Sequence, residues 1–130
     1  MRDKGILSFI IPNNILRTTS YDLIRKFLLD NTSLNQIVDL GSGIFENVTA
    51  STITLILTKT INTENCVTAI TDVKDLMKAE WTYNNIPQHQ FAENTSFAFN
   101  IFGDEKNNLV TRSIEKNTTF FGNFCIDIIE

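Results

Sequence analysis

The chain has 130 residues, 42% of them apolar and ten of them Phe, enough for one domain around a single core. Its net charge of −4 and pI of about 4.9 exclude the basic footprint of a self-sufficient nucleic-acid binder. Cys66 and Cys125 have no CxxC spacing and His89 is the only histidine, which excludes a zinc site built from His and Cys.

The first apolar run, residues 6–11, falls far short of the roughly 20 residues a spanning helix needs. No small-residue cleavage site follows it. Four N-x-S/T triplets begin at Asn31, Asn47, Asn94 and Asn117. Without a signal peptide they read as a by-product of an Asn- and Thr-rich composition. The expected compartment is the reducing cytoplasm, with no membrane partner.

In chain order, residues 5–11 (GILSFII) form a short apolar run ending at Pro12, which predicts a strand buried on both faces. Asn13 and Asn14 follow as a turn. Thr18, Thr19 and Ser20 are N-cap candidates for a helix reaching about Asp30, with Asp22 favourable at its N-terminus. Leu23, Ile24, Phe27 and Leu28 share one face, the predicted inward one. Residues 37–40 predict a second strand, broken by Gly41 and Gly43. Residues 53–57 predict a third. Phe45 lies between them, a large ring in a loop, where polar side chains are the norm.

Beyond residue 60, the segment 66–70 predicts a fourth strand and 73–81 a short helix capped by Asp72. Residues 84–90 contain Pro87 and show no clear periodicity. Phe97, Phe99 and Ile101 alternate with Ala98 and Asn100, a strand signal. Residues 104–116 suit an amphipathic helix with Leu109, Val110 and Ile114 inward, and an apolar tail closes the chain. Strand, helix, strand, loop, strand predicts part of an α/β sheet.

The chemical motifs are few. DLGSG, from Asp39 to Gly43, has the look of a Gly-rich cofactor loop, which works because a helix begins directly after it. Here a strand follows instead, and that strand runs out in Thr58, Lys59 and Thr60 rather than an acid. DLGSG therefore reads as a tight strand-to-strand loop. No Ser–His–Asp set is visible. The clusters around Asp72 and Asp104 read as solvated helix caps, and Trp81 with the Phe-rich tail as core.

Residues 4–59 nevertheless resemble, as a string, the second half of the catalytic domain of adenine-specific DNA methyltransferases. The similarity is to those fused to or paired with restriction enzymes, in the type IIG and related type II groups. That family has a strand of form G-x-L-x-F-I-I-P, a helix ending R-x-F-L-L, a strand I-V-D-L-G and a strand beginning S-T. All four stand here in that order. IPQHQF…FNIF and IEKNTTFFGNFC look like the connection into a target-recognition domain.

The resemblance implies a partial Rossmann-like methyltransferase sheet, its final strand pair antiparallel, followed by a small α+β connecting segment. It implies boundaries at 1–60 for the catalytic part, 61–117 for the connection and 118–130 for the start of target recognition. It also implies roles. The family evicts the target adenine from the duplex and stacks it on an aromatic in the loop between its last two strands, a position that matches Phe45. Pro12 and Asn13, just past the first strand's C-terminal end, would face the same cleft.

One departure matters. The family's Asn-Pro-Pro-Tyr signature is absent, since the only prolines, Pro12 and Pro87, are not adjacent. No catalytic residue is therefore assigned, and S-adenosylmethionine is expected to belong to a parent enzyme rather than to these residues alone. The expected partners are a missing N-terminal catalytic half and, through the intact enzyme, DNA. A truncated sheet would also leave the strand at residues 5–11 as an open edge, inviting self-association. Two other readings stand beside the inactive fragment: a subunit of a split methyltransferase and an independent α+β interaction module.

Overall fold

The computed structural model describes residues 2–45, 49–62, 64–71 and 81–102. The predicted helices at 73–81 and 104–116 and the apolar tail fall wholly or almost wholly outside them. The described chain is a mixed α/β fold built on one five-stranded sheet. Its strands are β1 (Ile6–Pro12), β2 (Ser33–Gly41), β3 (Thr52–Thr58), β4 (Cys66–Thr71) and β5 (Thr82–Pro87). Their order across the sheet is β1-β3-β2-β4-β5. Only β2 and β4 pair in parallel; β1–β3, β2–β3 and β4–β5 are antiparallel. The expected antiparallel final pair is β2–β3.

Register decides which residues share a face, because direct antiparallel partners point the same way. Ile53, Leu55 and Leu57 of β3 are buried. Their partners are Ile11, Phe9 and Leu7 on β1 and Asp39, Ile37 and Leu34 on β2. On this face the core closes with Leu16, Val67, Ala69, Ile86, Phe91, Phe99 and Ile101. The helices α1 (Asp22–Asn31) and α2 (Gln88–Glu93) cover it.

β1 is not the doubly buried strand its apolar run predicts. It lies at the margin of the sheet, bonded only to β3, and Ile6 is 73% and Ile10 57% exposed. Composition cannot distinguish a central strand from a marginal one, because both can read as unbroken apolar runs.

Of the predicted apolar face of α1, only Leu28 packs inward. Leu23 is 77% and Phe27 62% exposed, with Ile24 exposed beside them. The stripe that packs inward is Arg25, Leu28, Leu29 and Thr32, at i, i+3, i+4 and i+7. A charged residue heads that stripe. Arg25 is fully buried, and its guanidinium donates to the carbonyls of Ile15 (2.8 Å), Thr18 (2.9 Å) and Ser96 (2.7 and 3.1 Å). Those bonds fix the rotation of the helix about its axis. No side-chain cap begins α1; a 3-10 turn, Thr19–Tyr21, leads into it.

Residues 84–90, which show no period, supply most of β5 and the start of α2. Pro87 ends the strand and opens the helix. Conversely, the alternation at 97–101 makes no strand. Ser96 and Phe97 have φ of 54° and 56°, left-handed values incompatible with an extended run. Phe99 and Ile101 are buried nonetheless: the Phe99 ring lies 5.2 Å from Phe91, and its amide donates to Leu16 O at 2.9 Å. The alternation records insertion into the core, not pairing.

Candidate functional site

Because β1 and β2 both run antiparallel to β3, they are parallel to each other, and their C-terminal ends flank the start of β3. Pro12 and Gly41 are both register partners of Thr52. The Asn13 amide donates to Ser51 O at 3.0 Å. With strands about 4.8 Å apart, the β1 and β2 ends are roughly 10 Å from each other. Pro12, Asn13 and the loop bearing Phe45 thus come to one end of the sheet. Phe45 is 40% exposed and stands outside the buried core.

The loop's shape comes from its glycines. Gly41 has φ +70° and Gly43 φ +81°, where other residues are strained. A Cβ at either would meet nothing within 4 Å, so the requirement is conformational rather than one of space. The Asp39 carboxylate accepts from the Gly41 amide at 3.0 Å and sets the turn. At the centre of the three strand ends, the Thr52 hydroxyl is buried and makes no hydrogen bond among the described residues.

Several residues here carried no sequence signal. A cleft of about 260 Å³ opens beside Asn13, lined by Asn13, Asn14, Leu16, Arg17, Thr18 and Phe102. The Arg17 guanidinium sits 5.5 Å above the Phe102 ring. Contact between residues 85 apart in the chain leaves no trace in local spacing. At the other end of the sheet, the buried Gln88 amide accepts from Leu34 N (2.8 Å) and Asn65 Nδ2 (2.6 Å) and donates to Thr32 O (2.9 Å). That network ties α1, β2 and α2 together. His89 lines a second cleft there, about 220 Å³, away from Phe45.

The described residues do not fit an S-adenosylmethionine site. The DLGSG turn leads into antiparallel β3, so no helix N-terminus follows to receive a charged group, and β3 ends without an acid. Among the described residues, no three His, Cys, Asp or Glu side chains come close enough to hold a metal ion. No described helix is long and apolar enough to cross a membrane.

Residues 1–45 match the Eco57I restriction-modification methylase family. The match takes in β1, α1, β2 and the loop through Phe45. No curated protein matches the chain. Among solved structures, the type I restriction-modification methyltransferase subunit from Streptococcus thermophilus is 22% identical, with a TM-score of 0.57. The type IIG restriction endonuclease BpuSI is 17% identical, also at 0.57. A chain of a type I restriction-modification complex is 14% identical at 0.54. The alignments cover 76%, 75% and 88% of this chain but only 26%, 14% and 33% of those proteins. The shared feature is the fold, and this chain spans a minor part of their length.

Proposed function

We propose that this chain is the rear portion of a site-specific adenine DNA methyltransferase of the type IIG or related type II kind. It contributes one wall of the pocket for an everted adenine. Residues 1–60 belong to the catalytic domain, 61–117 connect it onward and 118–130 begin target recognition. The carrying observation is the convergence of Pro12, Asn13 and exposed Phe45 at the C-terminal end of β1 and β2. Ligands in open α/β sheets sit beyond those ends. In this role Phe45 stacks on the base, and Asn13 and Pro12 line its edge.

Eviction of a base costs a few kcal/mol, and one aromatic stack contributes roughly 1–3 kcal/mol. Phe45 is therefore large enough to hold the base out but not to drive the chemistry. S-adenosylmethionine and the Asn-Pro-Pro-Tyr group come from an N-terminal half. The surface for that half is apolar and open: Ile6, Phe9 and Ile10 on marginal β1, and Leu23, Ile24 and Phe27 on α1. Alone the chain is inactive; the assembled enzyme works in the cytoplasm on DNA.

The test is co-expression with a half that carries Asn-Pro-Pro-Tyr, read by protection of DNA from restriction. Phe45→Ala should weaken binding of DNA with 2-aminopurine at the target by about 5- to 150-fold, the equivalent of that stack. Its urea midpoint should stay unchanged. A Phe45→Ala protein that unfolds, or that retains full 2-aminopurine fluorescence and affinity, would show that the ring is structural.

A further inference from the structure

We infer that the cleft beside Asn13 is a phosphodiester site, in which Arg17 holds a nucleic-acid backbone phosphate next to the nucleotide received by Phe45. The inference rests on the base-pocket proposal for its setting and on separate observations for its chemistry. The cleft has the volume for a phosphate group with its flanking sugar atoms, about 260 Å³. No acidic side chain lines it among the described residues. Its polar walls are Asn13, Asn14 and Thr18, whose side chains make no hydrogen bond among the described residues.

Arg17 itself is differently placed from the other described cations of this fold. Lys26 is paired with Asp30 at 2.6 Å and Lys59 with Asp3 at 3.1 Å. Arg25 is spent on backbone carbonyls. Arg2 and Lys4 precede β1, at the opposite end of the sheet. Arg17 is exposed, forms none of the ion pairs above, and has its guanidinium carbon over the Phe102 ring, 5.5 Å from the centroid. The cation–π contact draws the guanidinium to one side of the cleft, and its planar fork of N–H donors is suited to meeting two phosphate oxygens at once.

The location follows from the strand register. Asn13 lines both this cleft and the end of the sheet, one residue past Pro12, and Pro12 and Gly41 flank Thr52. The strand ends from which the two loops spring, Pro12 and Gly41, lie about two strand spacings apart, roughly 10 Å. Among the described residues, Arg17 is the one cation that lines this cleft, and in an acidic chain that favours a single positioned contact over a general basic surface.

The experiment uses the 130-residue chain and a fluorescein-labelled 12-nucleotide single strand, read by anisotropy across a salt series. Arg17→Ala should weaken binding about 3- to 10-fold and reduce the slope of log affinity against log salt by about 1. Arg17→Lys should keep the slope. Replacing the central phosphate by a neutral methylphosphonate should weaken the wild type and leave Arg17→Ala unaffected. Unchanged affinity and slope in Arg17→Ala would overturn the inference, as would no wild-type binding at millimolar oligonucleotide. So would a lowered melting temperature with unchanged binding, which would mean the guanidinium serves the chain's own carboxylates. If Arg17→Ala weakens binding and Phe45→Ala does not, the phosphate site stands and the base stack fails; the reverse result sinks only the phosphate site.

Discussion

Arg25 offers the most demanding test of how this fold holds its candidate site. The guanidinium is fully buried and supplies four hydrogen bonds to three backbone carbonyls, those of Ile15, Thr18 and Ser96. Burial lowers its pKa and the nearby Asp22 carboxylate opposes that shift; as an arginine it stays charged across the accessible pH range. Arg25→Ala takes the guanidinium from the Ile15 and Ser96 carbonyls, each costing about 1 kcal/mol or more when buried, while the Thr18 carbonyl keeps the Tyr21 amide as donor. Lost packing of the stem adds about 1 kcal/mol, for a total of about 3 kcal/mol. A domain of this size has roughly 5–15 kcal/mol of stability in all, so the variant should lose a large share of it. Urea denaturation followed by circular dichroism measures the change. Arg25→Lys, with one donor centre in place of a planar fork, should lose about half as much. A loss below about 1 kcal/mol in Arg25→Ala would refute the reasoning, because it would mean that water reaches those carbonyls without difficulty.

Two further outcomes follow from the sheet. Thr52→Val removes a buried hydroxyl that makes no hydrogen bond among the described residues and keeps the side-chain shape, so it should stabilise the protein by up to about 1 kcal/mol; a loss in the same urea assay would show that the hydroxyl has a partner. The open edge of β1 should make the chain associate at high concentration, and Ile10→Lys on that strand should restore a monomer. Sedimentation velocity decides it: a monomeric wild type at high concentration would count against an interactive edge.

The sequence by itself determined the elements whose signal is local. The apolar runs of β1, β3 and β4 appear within a residue or so of where they were expected, because β-branched and apolar residues between turn formers leave few other options. The loop at Gly41 was equally legible: positive φ there needs glycine, and an exposed ring four residues on stands out by its chemistry alone. What lay beyond the sequence was every property set by a neighbour distant in the chain. Whether β1 is central or marginal depends on which strand lies beside it, and its composition is the same in both cases. The rotation of α1 was misread because a buried arginine heads its inward stripe, and only the carbonyls of Ile15, Thr18 and Ser96 make that burial tolerable. Phe99 and Ile101 alternate like a strand but fill the core from an irregular backbone, because a period of two records burial on one side and not the hydrogen bonds of a ladder. The cleft at Arg17 exists because Phe102 returns beneath it, and tertiary packing alone creates such a contact between remote residues.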